Sequence, residues 1–394
     1  LDWQQAQQPN GLRVITAARP ATPTVALRAH VRAGSRYDYE PAPHTQVGRA
    51  HMLEHLLFKG TASRSQREIF AAIEGRGGAL QASTAKEYVD VSAVTLPRDL
   101  PLAMEIVAGV LAAPLLSEDA FWQEKLVVLQ EIQRAGDRQS ILADLFTATL
   151  WEAHPLRHPV LGSLEGLQAL DFASLCAFHR ERYVAGNMLL VICGEIDHYE
   201  ARDLAAASFG ALPPGPEQPP LPAQEPPLGA ARTAHLAKDM RQTHLLAGVP
   251  TVSMAHPDRS ALKVVERVLG MGGSGRLYQR LREEQRLVYQ IGTAAASYED
   301  AGFFLVQTAC APDKVEQVLA AVLAEWDALR RDGVSDDDLA RAKGNYAGTL
   351  ARRFETNLAQ AGILGVEGLL HRVETLREAV ARINAVSRDE VVRV

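Results

Sequence analysis

In the stretch Gly48-Arg49-Ala50-His51-Met52-Leu53-Glu54-His55-Leu56-Leu57-Phe58, two histidines stand four residues apart with a glutamate between them. On a helix His51, Glu54 and His55 project from one arc of about 100°. Two imidazoles one turn apart grip zinc at two points, and a carboxylate on the same arc reaches a water beside the metal. The order His-x-x-Glu-His reverses that of the common zincins and is itself a catalytic signature. The alternative is an amphipathic helix with polar residues along its edge. Met52, Leu53, Leu56, Leu57 and Phe58 make this helix apolar nearly all round, which predicts burial. Buried polar side chains need partners, because an unpaired one costs roughly several kcal/mol.

The best partner lies in Ala120 through Ile132, where Glu124 and Glu131 are seven apart and share a helix face. Val127 and Val128 fall between them, with Phe121 and Ile132 on the flank. A zinc site of two histidines and one glutamate would use one of these acids as third ligand and leave a position open for water. A solvent-facing helix edge is the other reading of this segment.

With Glu131 placed 76 positions after His55, the pattern resembles the inverzincins of the pitrilysin and insulin-degrading enzyme family. The length is similar to the short two-domain branch that includes mitochondrial processing peptidase. Gly34-Ser35-Arg36-Tyr37-Asp38, Phe58-Lys59-Gly60-Thr61 and Val127 through Ile132 extend the likeness. The resemblance implies a zinc metalloendopeptidase with one zinc per chain. It makes His51, His55 and Glu131 the ligands, Glu54 the general base, and Glu124 the acid that orients a ligand. Where the family usually reads Leu-Asn-Ala-x-Thr, this chain has Leu80-Gln81-Ala82-Ser83-Thr84, so Gln81 and Ala82 are the expected substrate contacts. Arg282 and Tyr289 resemble the family's arginine–tyrosine pair, which supports substrate carbonyls and the developing oxyanion. Without the resemblance, Arg282 reads as a solvated helix arginine and Tyr289 as a strand residue of the core. In the family's long members the two functional domains form opposite halves of a clamshell. A two-domain chain then needs a second chain, so a dimer with Arg282 and Tyr289 acting across its interface is expected, identical or paralogous. The rival expectation is a non-catalytic partner subunit, although such relatives usually lose the metal motif.

At 394 residues, 47% apolar and 22% charged, the chain has the composition of a globular protein with two domains. A net charge of -6 without a Lys/Arg run argues against nucleic acid as partner. No apolar run approaches the roughly 18 residues that span a membrane. Cys176, Cys193 and Cys310 are scattered and odd in number, which favours buried, reduced thiols and the cytoplasm. The first residue is Leu1 rather than Met, leaving a periplasmic or secreted location open.

The elements that must hold these residues follow in order. Residues 12–16 and 25–31 read as strands, the second alternating so that His30 falls on its polar, surface side. A helix over 65–74 follows the metal helix. Residues 79–96 read as a strand pair, whose first strand, at an edge, could take an extended peptide. Residues 100–112 form a helix, Ser117 caps the acid-bearing one, residues 171–183 form another, and Met188 to Cys193 a central strand. Eight prolines between 212 and 229 mark a stiff linker. The predicted fold is α+β: two homologous domains, 1–211 and 230–394, each a mostly antiparallel sheet with helices on one side. The halves align, Pro97–Leu100 with Pro312–Val315 and Ser117–Lys125 with Ser335–Lys343. In that register Glu124 falls on Ala342 and Glu131 on Thr349, so only the first half should hold metal. Gly270-Met271-Gly272-Gly273-Ser274-Gly275 satisfies G-x-G-x-x-G, but a helical pattern precedes it where a dinucleotide site needs a strand. By analogy with residues 171–193, the chain is expected to continue past Val394 into a last strand.

Overall fold

A computed structural model of the chain describes residues 3–39, 47–135, 140–220, 223 and 225–394. It divides into two compact units. The first comprises Leu1–Ile141, Ala153–Gln224 and Phe354–Thr375; the second comprises Leu142–Glu152, Glu225–Arg353 and Leu376–Val394. Each unit thus includes a segment from the other half of the sequence. The described residues of the Pro-rich stretch form no helix or strand; Pro222 lies outside them.

The first unit is built on a six-stranded sheet of β1 (Gln4–Gln7), β2 (Arg13–Ala18), β3 (Val25–Val31), β4 (Ala79–Thr84), β5 (Val89–Thr95) and β6 (Met188–Gly194). The spatial order is β1-β2-β6-β3-β5-β4, antiparallel except for β2 beside β6, and β4 is an edge. Side chains alternate between faces, so Val25, Leu27, Ala29, Val31, Val89, Val91 and Ala93 join one core. That core is shared with α1 (Arg49–Leu57), α2 (Gln66–Glu74), α3 (Leu100–Ala112) and α4 (Glu118–Ala135). Ser65 caps α2 in a reciprocal capping box with Glu68, and Ser117 caps α4 through the backbone N–H of Ala120. The first half continues through α5 (Ser140–Leu150), which contributes to the second unit, then α6 (Leu164–Ala169), α7 (Phe172–Arg182) and α8 (His198–Phe209).

The second unit has a three-stranded antiparallel sheet, β7 (Thr243–Thr251), β8 (Ile291–Ser297) and β9 (Gly302–Cys310), in the order β7-β9-β8. This repeats β3-β5-β4 with the same connectivity. α9 (Arg259–Gly270) follows β7; α10 (Val315–Asp332) and α11 (Asp336–Arg353) follow β9 as α3 and α4 follow β5. The chain then runs through α12 (Asn357–Leu370), α13 (Leu376–Ala385) and α14 (Arg388–Arg393). Among the described residues no helix is long and apolar enough to cross a membrane.

α12 covers the second face of the six-stranded sheet and corrects one expectation. His30 is fully buried rather than at the surface, because α12 lies over the polar side of β3. A Cβ at Gly362, Gly365 or Gly368 would strike Arg28, His30 or Leu189, so these glycines set the close approach. Asn357 at the start of α12 donates to the Thr24 carbonyl at 2.7 Å. At its end Arg13 donates to the Gly368 carbonyl at 2.9 Å and Arg32 to the Leu369 carbonyl, satisfying the last carbonyls of the helix.

Candidate metal centre

The histidine-bearing helix α1 starts in an unusual way. Gly48 precedes it at φ 104°, a conformation that suits glycine, and has no side chain with which to cap the helix. Asp38 acts instead: its carboxylate accepts the backbone N–H of Gly48 at 2.8 Å and of Ala50 at 2.9 Å. Met52, Leu53, Leu56 and Leu57 are buried, which fixes the rotation of the helix and aims His51 and His55 toward α4.

Of the two acids, Glu131 is the one that converges with His51 and His55 on a single point. The Oε2 of Glu131 is 3.6 Å from Nε2 of His51 and 3.5 Å from Nε2 of His55. Three ligands at about 2.1 Å around a tetrahedral ion would stand about 3.4 Å apart, so this spacing fits zinc. Among the described residues this is the one group of histidine, cysteine and acidic side chains that could hold a metal. Burial, with His55 beside it, pushes the His51 imidazole down to about 4, leaving it neutral near pH 7 and able to donate a lone pair.

Glu124 lies on the far side of His55, its Oε2 3.0 Å from Nδ1. That contact places the ring proton on Nδ1 and turns the Nε2 lone pair toward Glu131. Lys59 pairs with Glu124 in turn. Burial pushes the Glu124 carboxyl up, but hydrogen bonds from Lys59 and His55 outweigh it and hold the group below the usual carboxylate range. Glu54 is adjacent to His55 and three residues from His51, and its Oε2 accepts a 2.5 Å hydrogen bond from the Thr84 hydroxyl on the edge strand β4. Burial raises the Glu54 carboxyl above its ordinary range, against the pull of Thr84 and His55.

Strand alternation separates the two expected substrate contacts. Ala82 shares the face of Thr84, toward Glu54. Gln81 shares the opposite face with Ser83, whose hydroxyl donates to Asp90 at 2.9 Å. The Gln81 amide therefore projects away from the metal group. In the second unit Arg282 sits in a π-helical turn over Tyr278–Glu284. Tyr289 precedes β8 and is 69% exposed, so it is not a core residue. The Arg282 guanidinium carbon lies 4.9 Å from the Tyr289 ring centre. The glycine-rich stretch at 270–275 follows helix α9, not a strand, as the helical pattern before it implies.

Sequence reading passed over Thr84, Lys59 and Asp38. Lys59 is four residues beyond His55 and so continues its helix face, a readable sign; Thr84 is two residues from Ala82 on the same strand face. Asp38, ten residues from Gly48 in sequence, carried no such sign.

Residues 13–164 match the family described as Insulinase (Peptidase family M16), and residues 169–346 match the Peptidase M16 inactive domain. An uncharacterized zinc protease of Mycobacterium bovis is 34% identical, covering 96% of this chain and 89% of its own. The chain belongs to peptidase family M16. A second relative, an uncharacterized zinc protease of Streptomyces coelicolor, is 33% identical over 97% of this chain and 84% of its own. The fold matches a protease from Helicobacter pylori, with a TM-score of 0.92 and 23% identity over 100% of this chain and 95% of that one. It also matches a peptidase M16 inactive domain from Pseudomonas fluorescens, with a TM-score of 0.89 and 23% identity over 100% and 94%. In the M16 chain described here the two acids that face the histidine pair belong to the first half alone. Ala342 and Thr349 occupy the corresponding positions of α11.

Proposed function

We propose that this M16 chain is a zinc-dependent endopeptidase that cleaves peptides or unfolded segments. The observation that carries this reading is the convergence of His51 Nε2, His55 Nε2 and Glu131 Oε2 beside the half-buried carboxylate of Glu54. These three residues hold the ion, one per chain; when bound, zinc supplies Lewis acidity toward a peptide carbonyl and a water. Glu54 is the general base that takes the water's proton and returns it to the leaving amine. Thr84 fixes the Glu54 carboxylate, and Glu124, backed by Lys59, fixes His55. A peptide adds to the free edge of β4 as an extended strand, with Ala82 facing the metal helix and Gln81 contributing through its backbone. Arg282 and Tyr289 donate to the substrate carbonyl. The two-domain length of this chain is the reason to expect a dimer in which they act on the partner copy's site.

The test is cleavage of a mixed peptide library. Wild-type protein should cut in a chelator-sensitive manner, and Glu54→Gln should lose about 10²- to 10⁴-fold in rate while keeping its zinc. A zinc-loaded wild type that cuts nothing would favour a non-catalytic partner subunit.

A further inference from the structure

We propose that Tyr278 is a positioning residue for Arg282, holding its guanidinium in the pose that receives a peptide carbonyl. This inference rests on the peptidase reading but uses a residue that reading leaves aside. The Arg282 guanidinium carbon lies over two aromatic rings, 4.8 Å from the centre of Tyr278 and 4.9 Å from that of Tyr289. Tyr278 and Arg282 are four residues apart in the π-helical turn, which puts ring and cation on one face. π-Turns of this kind recur at functional sites. The same turn is anchored to the glycine stretch: Gln279 donates to the Gly273 carbonyl at 2.5 Å, and a Cβ at Gly273 would lie 3.8 Å from the Tyr278 ring. The stretch therefore borders the ring that stacks on Arg282.

Arg282 is otherwise lightly held. Among the described residues its one ion pair, a 3.8 Å approach to the exposed Glu283, is loose, and the arginine side chain is 34% exposed. A flexible arginine stem loses rotamer entropy each time it is immobilised on a substrate. Rings stacked on the guanidinium pre-order it while leaving its in-plane N–H groups free to donate. The ring, not the phenol hydroxyl, does this.

Steady-state kinetics on a library-derived peptide, with zinc content and thermal melting as controls, should separate Tyr278→Leu from Tyr278→Phe. The leucine variant should lose about fivefold in kcat/KM, with zinc and melting unchanged, and the phenylalanine variant should stay within about twofold of wild type. Equal activity of Tyr278→Leu and wild type would overturn the proposal, as would a phenylalanine variant as impaired as the leucine one. NMR of arginine-labelled protein gives a second readout that needs no activity. The Arg282 side-chain resonances should carry a ring-current shift that Tyr278→Phe keeps and Tyr278→Leu reduces. If the wild type shows no chelator-sensitive cleavage, the peptidase reading falls, while an unchanged ring-current shift in Tyr278→Leu would sink the positioning claim by itself.

Discussion

The histidine nitrogens of α1 are useful as ligands only if their lone pairs point at one place, and that orientation is arranged one residue further out. Glu124 accepts from Nδ1 of His55 at 3.0 Å and is held in its charged form by Lys59, so Nε2 is kept as the free lone pair. Nδ1 of His51 is buried with no hydrogen-bond partner among the described residues, so packing alone sets that ring. The two histidines should therefore respond differently to their surroundings. Glu124→Ala is expected to weaken zinc binding about 10- to 100-fold without unfolding the protein. Competition with a zinc-chelating dye measures this directly. An unchanged affinity would mean that His55 needs no orienting acid. At this scale the arrangement was legible in part: helical spacing puts His51, Glu54 and His55 on one arc and Glu124 and Glu131 on one face, while the choice of Glu131 over Glu124 as third ligand rested on the family resemblance. Gln81 was not, because a family motif is read as a string, whereas a strand sends alternate residues to opposite faces.

The strands and helices of the first unit were legible where one face is apolar and the other polar, as in β3 and α4. What the sequence concealed is the second cover on the sheet. α12 begins more than 320 residues beyond β3, and nothing local to β3 announces it. The alternation of β3 implied a wet face, yet that face carries Arg28 and His30, with Asp90 of β5 beside them, beneath a helix that approaches through Gly362 and Gly365. The cost falls on His30. Burial pushes its imidazole down to about 4, with Asp90 and the Arg28 backbone raising it and the Arg28 charge lowering it. An unfolded histidine titrates near 6.5, so between pH 6.5 and 4 the unfolded chain takes up a proton that the folded one refuses. Stability contributed by keeping His30 neutral is thus fully present above pH 6.5 and is lost on acidification toward pH 4. Relative to His30→Leu, wild-type protein should lose roughly 2 kcal/mol of unfolding free energy between pH 7 and pH 5. Denaturant titrations of both proteins at the two pH values decide it. Parallel pH dependence in wild type and variant would show that His30 is solvated or paired.

At the scale of the whole molecule, two repeats have diverged in chemistry while keeping their connectivity. β3-β5-β4 and β7-β9-β8 are the same arrangement, and α4 and α11 are both 18 residues long. Only α4 carries the acids. The second unit instead presents Arg282 between two tyrosines near an exposed strand entrance. Repetition was readable because the Pro-x-x-x helix starts and the Ser-capped helices recur in register. The exchange of Leu142–Glu152 and Phe354–Thr375 between units was not, since no local pattern states which sheet a helix will cover. If each chain supplies Arg282 and Tyr289 to its partner, inactive chains should complement one another. Mixing Glu54→Gln with Arg282→Ala should restore up to about a quarter of wild-type activity, the share expected from random pairing into two-fold dimers with one intact site per mixed pair. No recovery over either variant alone would place the arginine's action within its own chain.

The claim beneath all of this is that Glu131 joins His51 and His55 on one zinc ion. Elemental analysis of purified wild type and Glu131→Ala measures it most directly. The account predicts one zinc per wild-type chain and a metal-depleted variant that still melts cooperatively. A folded Glu131→Ala protein that retains a full equivalent of zinc, or a wild type that binds none, would contradict it.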